Sequence, residues 1–303
     1  MSKPLLSLCM PTNGVVEWVF PVLDSIYNQN VDKELFEVVI TDNGQNQEFK
    51  NKINDYIKSH VNIVYKETQT LPFLNEIESY KLANGELIKF VNHRTKLMDG
   101  TINKLLQLIE KYKEEKPIFY FANGMLEISK TVHEYYTFDI FVRNLSYWSS
   151  WSTGMTIWKS DLEKIPKDVS SYNELFPHTN ILFNERNRSK YIINNEIIFD
   201  EIPVNGIPKA KYDLFYAFAV EYLEIIFSLY NDGDITKKTY NYVKRKNSFF
   251  VSSLYLEYIV QKKQCSYILD NYKGSVKKYY SDFEIKFKAL FIVIERVIRK
   301  ILK

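Results

Sequence analysis

Through Ala122 the chain alternates short apolar runs with amphipathic stretches, a rhythm that a layered α/β sheet accommodates. PLLSLCM (4–10) reads as a buried strand, after which Val16, Val19, Phe20, Leu23, Ile26 and Tyr27 fall on one helical face. LFEVVIT (35–41) is the next strand, closed by the turn Asp42-Asn43-Gly44 and followed by a polar helix to about Ser59. VNIVYK (61–66), ELIKFVN (86–92) and KPIFYFA (116–122) continue the series, with helices near 74–83 and 99–113. Strands separated by helices of this length imply a mostly parallel sheet covered on both faces.

Such sheets bind ligands at the carboxyl ends of their strands, near a topological switch point. The turns to inspect are Pro11 to Gly14, Asp42 to Gly44 and Asn92 to Thr95. None contains GxGxxG or GxxxxGK[ST], which disfavours a dinucleotide-binding Rossmann domain and a P-loop NTPase.

Forty Lys and Arg against 37 Asp and Glu leave a net charge of +3, too even by itself to suggest a nucleic-acid binder. Cys9 and Cys265 match no CxxC or Cys/His ligand spacing, which suits a reduced, intracellular protein. The first apolar run is short and runs straight into a turn, so no signal peptide is expected, and Glu221, Glu224 and Glu295 interrupt the best candidates for a membrane span. A cytoplasmic protein is expected, in solution or on the inner face of the cell membrane.

Beyond about residue 125 the alternation loosens. WSSWSTGMTIWKSDL (148–162) has an aromatic cluster and a glycine before a strand, NELFPHTNILF (173–183) reads as a helix broken at Pro177, and KYIINNEIIF (190–199) is strand-like. From Tyr212 the pattern is helical, punctuated at Asn231 to Asp234 and at Lys273-Gly274. The expected division is an α/β domain over 1–210 and a helical region over 211–303 ending in a basic amphipathic helix.

SLCMPTNG with the helix through LDSIYNQ, then FEVVITDNG, then FLNEIESYKLANGELIKFVN followed by LMDG, resemble in order and spacing the family 2 glycosyltransferases of GT-A fold, of the bacterial capsule and O-antigen type. The resemblance covers about the first 110 residues, is weak from Trp148 to Phe183, and fades after about residue 200. It implies a mostly parallel nucleotide-binding sheet flanked by helices, with a helical C-terminal extension. It also implies that Pro11, Thr12, Asn13, Asp42, Asn43, Asn75, Asn92, His93 and Arg94 face a nucleotide-sugar donor, with Asp42 on the base. The residue types agree, since Thr12, Asn13 and Asp42 can hydrogen-bond a base and a ribose. Taken alone, Asp42-Asn43-Gly44 reads first as a plain turn; in register with Pro11 to Asn13 and Asn75 it reads as part of a site.

Where the family carries a DxD-type motif for a divalent cation, this chain has Asn92, His93, Arg94 and Thr95. A hard cation wants carboxylate oxygens, so no metal cofactor is expected; magnesium or manganese would enter only through residues other than these. Arg94, with a fork that matches phosphate oxygens, is the expected substitute against the diphosphate leaving group, helped by His93 and Lys96. The alternative is that Arg94 is a solvated residue paired with Asp99. The family resemblance through WSTG and FPHT puts His178 near the second half of the site. His178 and Glu174, read as one helical turn before it, are the candidates for the catalytic base, with Asp168 behind them.

The last segment is basic. From Asn271 onward nine Lys or Arg stand against three acids, a net of +6, so the rest of the chain carries −3. Phe287, Leu290, Phe291, Ile294, Val297, Ile298 and Ile301 recur at three and four. This composition suits a helix in an anionic membrane interface, reached through 280–303, or a helix docked on the core or in an oligomer. The sequence thus points to a glycosyltransferase, inverting and metal-independent, that moves a sugar (UDP-sugar favoured) to a polyprenyl-linked or polymeric surface polysaccharide, with no nucleic-acid partner. The alternative is a non-catalytic GT-A-like partner in a polysaccharide assembly complex. A sugar-1-phosphate nucleotidyltransferase is disfavoured by the lack of a Gly/Arg-rich phosphate loop near the N-terminus.

Overall fold

In the computed structural model, which describes residues 3–128, 131–203 and 211–301, the first seven elements are strand and helix in turn. They are β1 (Leu6–Thr12), α1 (Val16–Tyr27), β2 (Phe36–Asp42), α2 (Gln47–Ile57), β3 (Ile63–Glu67), α3 (Asn75–Leu82) and β4 (Leu87–Phe90). β1 and β2 are apolar on both faces because both faces are covered. Leu6, Leu8 and Met10 pack with Val19, Val22, Leu23 and Ile26 of α1, whereas Cys9 and Val39 pack with Ile77 and Tyr80 of α3.

After β4 come β5 (Thr95–Leu97), α4 (Thr101–Tyr112), β6 (Ile118–Phe121), β7 (Val132–Tyr135), α5 (Phe138–Leu145), β8 (Thr156–Trp158), α6 (Lys159–Leu162), α7 (Pro177–Leu182), β9 (Tyr191–Asn194) and β10 (Phe199–Glu201). The main sheet has the order β3-β2-β1-β4-β8, parallel except for β8. The chain steps outward from β1 to β3 and then crosses back to β4 on the other side of β1. The ends of β1 and β4 are therefore the switch point of this sheet, the place where such sheets form a ligand crevice.

The structure departs from the sequence reading in four places. KPIFYFA does not extend the main sheet: β6 pairs with β9 in a second sheet of order β6-β9-β7. KYIINNEIIF is two strands, and the second pairs antiparallel with β5, a strand that a reading of Thr95 to Leu97 as the approach to a helix did not anticipate. Pro177 begins α7 rather than breaking a longer helix, which suits a residue without an N–H at a first helical position, and Asn173 accepts from the N–H groups of Leu175 and Phe176 ahead of it. Lys273-Gly274 lies inside a helix instead of ending one.

The chain divides into two compact units. One runs to Phe141 and resumes at Ser149–Pro203; the other combines Val142–Trp148 with the C-terminal helices. The expected boundary after 210 adjoins 204–210, outside the described residues. In the second unit α8 (Leu214–Tyr216) passes through a π-helical turn (Ala217–Glu221) into α9 (Tyr222–Asn231), followed by α10 (Lys237–Leu254), α11 (Tyr272–Lys277) and α12 (Asp282–Ile301). α12 docks through Ile285 and Ala289, and its Lys288 ammonium donates to the Ser248 hydroxyl of α10. Its opposite stripe, Phe283, Phe287, Leu290, Ile294, Val297, Ile298 and Ile301, is exposed.

Lys89 of β4 is fully buried. Its ammonium donates to the carbonyls of Phe90 (2.9 Å), Met155 (3.3 Å) and Thr153, and lies 5.7 and 5.8 Å from the ring centres of Phe121 and Phe199. Burial pulls its pKa down to about 7. A cation whose pKa is lowered on folding costs stability wherever the folded site would rather release the proton that the unfolded chain keeps, so stability should rise with pH above 7. Urea unfolding between pH 7 and 9 should show this rise, with a slope of at most about 1.4 kcal/mol per pH unit. Lys89→Met should flatten it, and an unchanged slope in that variant would exclude Lys89 as its source.

Candidate functional site

The strand ends are held in register by a small set of side chains. Thr12 of β1 stands opposite Asp42 of β2, and the Asn43 N–H donates to the Thr12 carbonyl (3.1 Å). Asn75, the first residue of α3, donates from its side-chain amide to the carbonyls of Thr41 (2.9 Å) and Thr12 (3.4 Å), and its Oδ1 accepts the Thr68 hydroxyl (2.8 Å). Both amide hydrogens and the acceptor are thereby engaged by the protein. The structure thus gives Asn75, expected at the donor, the task of tying β1, β2 and α3 together.

Asp42 is buried and doubly held. Its Oδ1 accepts the Gly44 N–H (2.8 Å) and its Oδ2 the Tyr65 hydroxyl (3.1 Å). Burial pushes its carboxyl above the ordinary value against the pull of these two donors. Position 44 must be glycine for a steric reason: a Cβ there would lie 2.0 Å from the Asn13 carbonyl oxygen. Gly14, at φ +76°, lets the chain leave β1 sharply, and its N–H donates to the Thr12 hydroxyl (3.0 Å). Of the expected contact residues on these two strands, Asn13 is exposed, Pro11 and Asn43 are half-buried, and Thr12 and Asp42 form the floor. Asn43 donates to the Thr70 carbonyl (2.9 Å).

Across the switch point the Thr12 hydroxyl meets His93 Nδ1 at 2.8 Å. The same hydroxyl accepts the Gly14 N–H and keeps both its own proton and a second lone pair, so it can donate to Nδ1 or accept from it according to the histidine tautomer. Burial, with the Arg94 charge beside it, drives the His93 pKa down to about 4, and Trp18 packs edge-on against the ring at 5.1 Å. His93 is therefore neutral at pH 7, which corrects the expectation that it adds positive charge. Asn92 Oδ1 accepts the Arg94 N–H (3.1 Å).

Arg94 does not pair with Asp99. Its guanidinium reaches β10, where NH2 lies 3.1 Å from Glu201 Oε2 and NH1 donates to the Ile202 carbonyl (3.1 Å). A half-buried arginine already facing a carboxylate offers less to a diphosphate than an unpaired one. Lys96 is exposed on β5. Neutral His93, Asn92, Thr95 and the cationic Arg94 do not fit a hard divalent cation, and among the described residues no group of three His, Cys, Asp or Glu is placed to hold a metal ion.

On the other side of the sheet, His178 of α7 is buried with Nε2 2.9 Å from the Ser150 carbonyl, to which it must donate, and Nδ1 3.7 Å from Glu76 Oε1. In this arrangement neither ring nitrogen is open to an acceptor hydroxyl. Glu174 lies outside α7 and is exposed, so it shares no helical face with His178. The carboxylate that the fold brings to His178 is Glu76, which burial pushes up in pKa and the imidazole draws back. Asp168 caps a short turn, accepting from the Ser170 N–H (3.0 Å) and hydroxyl (2.7 Å). Sequence reasoning missed Glu76, Tyr65 and Glu201. Their partners are 102, 23 and 107 positions away, and no local spacing announces such contacts.

No protein-family model matches the chain, and no curated protein sequence does. Among solved structures it is similar to S. aureus TarS, with TM-score 0.56 and 15% identity over 86% of this chain and 46% of that one. The chain thus spans less than half the length of that TarS chain. It is also similar to the 1–349 piece of TarS in complex with UDP-GlcNAc, with TM-score 0.56 and 14% identity over 91% and 80% of the two chains. A third likeness is to the mannosyltransferase PcManGT from Pyrobaculum calidifontis in complex with GDP-Man and Mn2+, with TM-score 0.53 and 12% identity over 95% and 88%. What is shared at these identities is the fold: a mostly parallel central sheet flanked by helices, of the kind found in GT-A-like glycosyltransferases.

Proposed function

We propose that the chain is a glycosyltransferase that takes a sugar from a nucleotide-sugar donor, UDP-sugar favoured, and passes it to a surface-polysaccharide acceptor with inversion. The observation that carries this reading is the switch-point crevice, where Thr12 and His93 close the gap between β1 and β4 beside Asp42. The fold supports it, since two similar structures hold UDP-GlcNAc and GDP-Man. On this reading Pro11, Asn13, Asn43 and Asn92 line the donor, Thr12 and Asp42 shape the floor, and His93 offers a neutral imidazole.

Asn92 to Thr95 bring no carboxylate to the end of β4, and on this reading Arg94 meets the diphosphate. Glu201 is 47% exposed, and an ion pair this open to water is weak enough for a diphosphate to displace. The test is the thermal shift with UDP, CDP, GDP and dTDP, each in EDTA and again with manganese. UDP should raise the melting temperature equally in both, a stabilisation of about 2.7 kcal/mol at roughly 100 times the dissociation constant. Donor turnover should fall at least ~100-fold in Arg94→Ala. A shift that needs manganese would place a metal on other residues. Absence of any shift would favour the non-catalytic GT-A-like partner, a reading that the Arg94–Glu201 pair supports.

The polyprenyl-linked or polymeric acceptor rests on the sequence resemblance, and the exposed apolar stripe of α12 supports its presentation at a membrane surface. Among the described residues no helix is long and apolar enough to cross a membrane. The chain should co-sediment with anionic liposomes, and loss of residues 280–303 should abolish this; equal sedimentation of the two would remove α12 as the contact.

A further inference from the structure

α10 carries five lysines and arginines and no acid in its 18 residues. Tyr242, Arg245 and Lys246 stand at i, i+3 and i+4, which places them on one face. A third cation joins them from α5. The Arg143 guanidinium carbon lies 5.0 Å from the Tyr242 ring centre, that of Arg245 5.6 Å, and the Lys246 ammonium 5.8 Å. Each is attracted by the face of the ring, but the three positive charges repel one another at this spacing.

Elsewhere in the same unit cations meet carboxylates: Lys278 pairs with Glu224, Lys286 with Asp282 and Lys288 with Glu284. Among the described residues no carboxylate pairs with Arg143, Arg245 or Lys246. The cluster therefore gathers charge without neutralising it, with two guanidinium forks and one ammonium around a phenol that can donate a further hydrogen bond. That donor set matches an oxyanion with several phosphate oxygens and does not match a neutral sugar.

We propose that Arg143, Arg245 and Lys246, gathered around Tyr242, form a binding site for phosphate groups carried in a diphosphate or phosphodiester chain. On the glycosyl-transfer reading above, such a site holds a phosphate-bearing acceptor; the binding itself stands apart from that reading and needs no donor.

The test is titration calorimetry of the full chain with inorganic triphosphate at low salt, in parallel with co-sedimentation on phosphatidylglycerol vesicles and on pure phosphatidylcholine vesicles. Wild type should bind triphosphate with an affinity that falls steeply as salt is raised. Arg143→Gln/Arg245→Gln should bind at least ~10-fold more weakly, the loss expected for charge-assisted hydrogen bonds. Lys246→Gln, at an exposed position where packing is not at stake, should weaken binding about 3-fold. Loss of triphosphate binding with vesicle binding intact identifies a soluble phosphate chain as the ligand, and parallel loss of both identifies a lipid headgroup. Triphosphate affinity equal within about twofold in wild type and both variants would overturn the site. Since no nucleotide sugar is present, failure here is distinct from failure of donor turnover.

Discussion

The geometry of the strand ends depends on one carboxamide. Asn75 begins α3, and its side chain binds the Thr12 carbonyl at the end of β1 and the Thr41 carbonyl one residue before the end of β2 while accepting from Thr68 after β3. Three consecutive strand–helix connections thus meet at one buried side chain, with both donors and the acceptor satisfied, as a buried amide requires. With this anchor in place Thr12 stands level with Asp42 and reaches His93 across the switch point.

The electrostatics of the crevice follow from burial rather than from residue type. His93 and Arg94 look in the sequence like two neighbouring cations. In the fold, desolvation together with the arginine holds the histidine neutral, and the arginine is met by Glu201. Asp42 is likewise pushed toward its protonated form while two donors hold it ionised. The positive charge that Asn92 to Thr95 bring to the strand ends is therefore one guanidinium with a half-exposed partner. In the second unit positive charge gathers around Tyr242, where among the described residues no carboxylate pairs with Arg143, Arg245 or Lys246.

The first four strands could be read from the sequence to within two or three residues because each is a short apolar run bounded by turn formers, and period and punctuation agree. The fold class followed from their alternation. What could not be read was pairing between distant strands: β6 and β9 meet across about 70 residues, and β5 and β10 across about 100. Thr95 to Leu97 is too short to show a period, and it is a strand because Phe199–Glu201 lies beside it. The same limit applied to the site. Thr12 and Asp42 were found by their place at strand ends. Glu174 was paired with His178 by a helical spacing that Pro177 cancels, and the carboxylate present there, Glu76, comes from an element 102 positions earlier.

On the reading proposed above, a nucleotide sits at the ends of β1, β2 and β4. Hydrogen–deuterium exchange of the chain with and without UDP tests it most directly, because the amides of Gly14, Asn43, Gly44 and Arg94 lie on the loops that would line such a ligand. Slower exchange confined to 11–14, 42–44 and 92–95 is the predicted result. Protection elsewhere, with these three loops unchanged, would contradict the account.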